Sequence, residues 1–183
     1  MRKTILTVAS VAALAMPLFA LAPTTAGAAA ATPTCKTASG SGTFTPALPP
    51  LSQPNTKVKS TVTSTGTEKG CTGGGVTSAT LTGKFKFSTA GNCTTLLQGT
   101  GGTISGPATL KWNTGKTSTV GAAKLGQVKG QATEATITGK ITAGLFVGKS
   151  VAQTITFAVT SGECTSKPLS KVTYTQKTSL TIK

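Results

Sequence analysis

Between Val76 and Phe87 the residues alternate: Ala79, Leu81, Gly83, Phe85 and Phe87 hold odd positions, while Ser78, Thr80, Thr82, Lys84 and Lys86 hold even ones. A side chain that changes face at every residue belongs to a β-strand, so one face of this segment is core and the other is wet. The same period returns elsewhere. Val58, Ser60 and Val62 alternate with Lys57, Lys59 and Thr61, and Ala135, Ile137, Gly139 and Ile141 alternate with polar residues, as do Val151, Ile155, Phe157 and Val159. Further strands are expected near Thr43, across Thr103 to Trp112, across Thr117 to Ala123 and from Lys171 to Ile182, with Asn113 to Lys116 as a turn. Thr, Val, Ser, Gly and Ala dominate, and no helical stretch is expected beyond the leader. About eight strands at these spacings predict an all-β fold, a single antiparallel barrel or sandwich with two disulfides. Prolines 46, 49, 50 and 54 mark an extended crossing between the first two strands.

Matching faces sets an expected register for the hairpin of the segments 56–66 and 76–87, turning through Glu68 to Gly74. Ser60 then faces Leu81, Val62 faces Ala79, and Lys57 faces Lys84 on the outside.

Arg2 and Lys3 precede an uncharged run from Ile5 to Leu21, and the small residues Ala26 to Ala30 follow. That order predicts a secretory signal peptide over residues 1–28, with cleavage as late as residue 30, and a single all-β domain over 31–183. Pro17 and Pro23 interrupt the apolar run, and no membrane span is expected in the mature form. No lipobox precedes Cys35 and no sorting signal closes the sequence, so a secreted protein without a covalent anchor is expected.

In an oxidising compartment the four cysteines, Cys35, Cys71, Cys93 and Cys164, read as two disulfides. A zinc site would need closely spaced ligands, and the chain has no histidine, so neither metal nor cofactor is expected. If the strands meander up and down, Cys35 and Cys71 fall at one end, and Cys93 and Cys164 at the other. The expected bridges are therefore Cys35–Cys71 and Cys93–Cys164, unless the connections cross.

Charge narrows the function. Of 18 basic residues Arg2 and Lys3 fall in the leader, leaving 16 lysines against three glutamates, a mature net charge of +13 without arginine or aspartate. Lysine is a hydrated point charge, whereas bidentate sites are mostly read by the arginine fork, so diffuse attraction to anionic surfaces is expected. Without histidine no Ser-His-Asp or Cys-His arrangement can form. A glycosidase needs two carboxyl groups beside one bond, and Glu68 and Glu163 are expected at opposite ends, with Glu134 a surface partner for lysine. Serine or lysine nucleophiles carry no signal in a chain this rich in both.

Two candidate contact surfaces remain. Lys57, Lys59, Lys84 and Lys86 would form a basic patch on one sheet face, suited to teichoic acid, acidic polysaccharide or anionic lipid, or merely a solvated face. Leu145, Phe146 and Val147 would form an apolar loop, either an exposed tip or a plug for the end of the core. Trp112 is expected in the core with its indole nitrogen bonded near a strand end. No specific nucleic acid is expected, because Phe85 and Phe87 point inward. Asn92-Cys93-Thr94 matches a glycosylation triplet, and Lys69 on its glycine-rich loop lacks the rigidity of a protease bait.

The segments Cys71-Thr72-Gly73-Gly74-Gly75-Val76-Thr77-Ser78, Trp112-Asn113-Thr114-Gly115 and Gly144-Leu145-Phe146-Val147-Gly148 together resemble small secreted β-rich proteins of actinomycetes. The likeness spans most of the mature chain. That group carries no established activity, so the resemblance implies an exported β domain and no active site. The function expected is a non-catalytic secreted binding or cell-envelope-associated protein attracted to anionic cell-wall polymers. Its rivals are a carrier with an apolar ligand inside a barrel, which needs some hundreds of Å³ of unfilled interior, and an enzyme that gathers a buried lysine with Ser, Thr, Tyr174 or a glutamate.

Overall fold

Alternation of this kind buries one side of every strand, and closing the sheet on itself removes the unpaired edges that an open sheet would leave. The computed structural model describes residues 31–98, 103–127 and 133–183; the expected leader lies outside them. The strands are β1 (Thr34–Leu48), β2 (Thr61–Thr72), β3 (Ser78–Phe87), β4 (Ile104–Trp112), β5 (Thr117–Gln127), β6 (Glu134–Gly144), β7 (Ser150–Ser161), β8 (Leu169–Gln176) and β9 (Leu180–Ile182). Each of the first seven strands pairs antiparallel with the next, and β8 returns to β1, with Ser39 opposite Thr175 and Gly40 opposite Tyr174. The molecule is thus a closed eight-stranded up-and-down barrel. The stretch expected as one strand from Lys171 to Ile182 is broken after Gln176, and its remainder, β9, pairs with both β1 and β7.

Two expectations need correction. The β2–β3 hairpin is longer than expected: Thr61 lies opposite Lys86, Val62 opposite Phe85 and Glu68 opposite Ala79. The shift is an even number of residues, so inner and outer faces survive while every partner changes. The reversal falls at Gly73, Gly74 and Gly75, all at positive φ, where glycine meets no Cβ penalty. Glu68, assigned to the loop for its charge, is an interior strand residue, and Lys84 pairs with Thr63, not Lys57. The second correction is a helix, α1 (Cys93–Leu97). Asn92 caps it: its Oδ1 accepts from Thr95 N at 3.0 Å while Thr95 Oγ1 accepts from Asn92 N at 2.9 Å. The Asn92 amide also donates to Pro54 O and Thr56 O, and the residue is 1% exposed. The Asn-Cys-Thr triplet is therefore a structural cap that ties down the proline-rich crossing.

The bridges are Cys35–Cys71 and Cys93–Cys164, at opposite ends as the meander requires. The first lies where β1 and β2 pair directly. The second joins α1 to the β7–β8 connection, and beside it Cys93 N donates to Pro49 O and Leu51 N to Cys164 O.

Inside, Phe85, Leu110, Val120, Ile141, Val151 and Ile155 are buried. The Tyr174 ring lies over the paired Gly40 and Gly66 of β1 and β2: a Cβ at either glycine would fall on its hydroxyl, and one at Gly66 would also come within 2.9 Å of Ser39 O. Gly66→Ala is expected to destabilise the protein by about 2 kcal/mol, since the clash includes backbone. Denaturant unfolding checks this, and Tyr174→Leu in the Gly66→Ala background should cost less than the two single losses combined. Additive losses would mean that the ring is not what the glycine accommodates.

Candidate functional site

Among the described residues the barrel interior holds two small cavities, one of about 70 Å³ between Val62, Ser64, Phe85, Ile155 and Tyr174, the other of about 20 Å³ beside Glu68, Val151 and Gln153. Leu81, Ala108 and Ile137 line both. The smaller is about the size of one water, and together they fall well short of the several hundred Å³ of an ordinary ligand pocket.

One polar cluster interrupts this interior. Glu68 is 1% exposed and Gln153 3%, and the Gln153 amide donates to Oε1 and Oε2 of Glu68 at 3.3 and 3.2 Å. No ion pair joins the carboxyl to a lysine among the described residues, and burial pushes its pKa from 4.5 up to about 7, against the smaller opposing pull of Gln153. Burial likewise raises the Tyr174 phenol, with a lesser contribution from the Glu68 charge, and its hydroxyl donates to Thr65 O at 3.3 Å. The acid and the phenol are coupled through charge, and Glu68 also borders an open groove on the barrel wall.

Trp112 is core, 2% exposed, and its Nε1 donates to Ser118 Oγ at 2.8 Å, which in turn donates to Leu145 O at 2.7 Å. Phe146, held at positive φ, packs edge-on against Trp112 with ring centroids 5.6 Å apart. The loop Leu145, Phe146, Val147 folds back over the barrel end: its first two residues are half-buried, and Val147 alone projects, 61% exposed.

All four lysines of the anticipated patch, Lys57, Lys59, Lys84 and Lys86, are exposed. The expected pairing of Lys57 with Lys84 is not formed, Lys84 lying opposite Thr63. Lys84 and Lys86 stand on the outer face of β3, whereas Lys57 and Lys59 precede β2 on the proline crossing, anchored there by the Val58–Gly91 bridge and by Ser60 Oγ donating to Pro46 O at 2.7 Å. Ser105 instead separates Lys86 from Lys124 of β5.

A different basic feature, absent from the sequence reading, sits at the other end of the same wall. Lys69 pairs with Ser78, Thr67 with Thr80, and Thr80 with Lys111, so two lysines on β2 and β4 flank the hydroxyls of β3. With Asn113 they line an open groove of about 300 Å³. Asn113 Oδ1 accepts from Thr77 N at 2.8 Å and Ser78 N at 3.3 Å, fixing one rim.

Glu68 also lines this groove, with its side chain buried. Glu134 is paired with Lys177, and Glu163 lies 3.5 Å from Lys167. No protein-family model, curated protein or solved structure matches the chain.

Proposed function

We propose that this is a non-catalytic protein of the cell exterior whose barrel wall adheres to anionic cell-envelope polymers. The observation that carries the reading is the placement of charge. One glutamate is buried, the other two are paired with lysines, and every described lysine is exposed. The outer wall therefore presents an almost unopposed cationic field over rows of threonine and serine. The two disulfides accord with an oxidising compartment, and the resemblance to exported actinomycete proteins points the same way. Among the described residues the interior cavities of about 70 and 20 Å³ leave a cargo little room, and the exposed lysines offer no desolvated amine for catalysis.

Attraction of this kind is screened within roughly 10 Å at 0.1 M salt. Retention of the protein on isolated cell envelopes is expected to fall steeply as salt rises from roughly 0.05 to 0.2 M, because each neutralised phosphate or carboxylate contact releases counterions. Sedimentation with envelopes across that range checks it, and retention independent of salt would refute the reading.

A further inference from the structure

We propose that the groove between Lys69 and Lys111 is the seat of one phosphodiester unit of a polyol or sugar-phosphate chain. The inference rests on the polyanion reading above and names its contact point. Strand neighbours lie about 4.8 Å apart and residues two apart along a strand roughly 7 Å, so the Cα atoms of Lys69 and Lys111 stand on the order of 12 Å from each other. Lysine side chains are long enough to converge from that separation over Thr80 and Ser78. Neither lysine has an ion-pair or hydrogen-bond partner among the described residues. Both lysines are exposed beside the hydroxyls of β3, and Glu68, which also lines the groove, is buried with its carboxyl bonded to Gln153 inside the barrel.

The chemistry of the lining selects the ligand. Lysine binds phosphate as a point charge, whereas planar carboxylates are better matched by arginine, which the groove lacks. The hydroxyls of Thr67, Ser78 and Thr80 can donate to phosphate oxygens and accept from polyol hydroxyls. An open groove of about 300 Å³ admits one repeat of a flexible chain and lets the remainder run along the wall toward Lys84 and Lys86. Nucleic acid fits less well, because no ring is available for a base to stack on, Trp112 being buried beneath the floor.

The test measures binding of poly(glycerol phosphate) by titration calorimetry at about 0.05 M salt, for the wild type, for Lys69→Ala with Lys111→Ala, and for Lys84→Ala with Lys86→Ala. Both double variants remove the same charge from the same wall. The groove predicts about a tenfold loss for the first pair and less than about threefold for the second, with Lys69→Arg and Lys111→Arg retaining most of the affinity. Amide shifts at Thr80 and Asn113 on adding the polymer should move in the wild type and not in the first variant. Equal losses from the two pairs would overturn the groove and leave the general attraction standing, whereas no binding by the wild type would overturn both. Tighter binding of polygalacturonate or of oligothymidylate than of the phosphate polymer would overturn the phosphodiester assignment.

Discussion

Glu68→Gln is expected to make the protein more stable by about 3 kcal/mol above pH 7 and to leave it nearly unchanged below pH 4. The folded carboxyl titrates near 7 against 4.5 for an unburied one. Between those values the unfolded chain has released its proton while the folded barrel still holds it, so wild-type stability is full below about pH 4.5 and falls until about pH 7. Glutamine keeps the shape and a hydrogen bond to Gln153 but cannot ionise, and so removes that slope. The chain is well suited to the measurement: histidine, which ordinarily dominates this window, is absent, as is aspartate. Denaturant titrations of both proteins at pH 4, 6 and 8 decide it. Parallel stability profiles would mean that the Glu68 carboxyl is not desolvated in the folded state.

Replacing Cys93 and Cys164 together by serine should cost about 4 kcal/mol, the chain entropy released by opening a 71-residue loop. The loss should also be local. This bridge holds α1 against the β7–β8 connection, with the backbone bonds of Cys93 to Pro49 and Leu51 to Cys164 alongside it, and it lies outside the strand ladders. Hydrogen exchange at Leu51, Val58 and Cys93 should rise well before exchange at Leu81 or Leu110 in the strands. By contrast Cys35 and Cys71 sit on directly paired strands, and their removal should leave the ladder around them protected. Uniform acceleration across the barrel after loss of Cys93–Cys164 would show that the bridge supports the whole fold rather than its end.

Alternation along the chain carried the strand faces and the end at which each cysteine lies, because both depend only on parity and direction. Register did not follow, because many threonine-rich pairings place apolar residues on the same side. Thr61 opposite Lys86 and Thr61 opposite Thr80 look alike until the turn is located at Gly73 to Gly75. The choice between barrel and sandwich depended on β1 meeting β8, and neither Ser39 nor Thr175 advertises its partner. Glu68 was misplaced because a lone carboxyl reads as solvent-seeking, and only Gln153, 85 residues away, makes its interior position tolerable. The groove was illegible for the same reason: Lys69 and Lys111 are neighbours across β3 and far apart in sequence. The capping box was legible in Asn92 and Thr95, three residues apart, and its overlap with a glycosylation triplet concealed it.

The pairing of β1 with β8 also governs how the molecule can come into being. Gly40 meets Tyr174 across more than a hundred intervening residues, so the last seam of the barrel joins segments of very high sequence separation. Neighbours from β2 to β7 are separated by at most 16 residues along the chain and can assemble early, whereas closure must wait for the whole circuit and bears the largest loop entropy. Until then the edges of β1 and β8 lie open, threonine-rich and ready to pair with another chain. Slow folding, and aggregation of fragments ending before Leu169, are the expected consequences of such a seam. Each of those edges carries a single lysine, Lys36 on β1 and Lys171 on β8, so charge repulsion between unclosed circles is slight and the completed seam is what protects them.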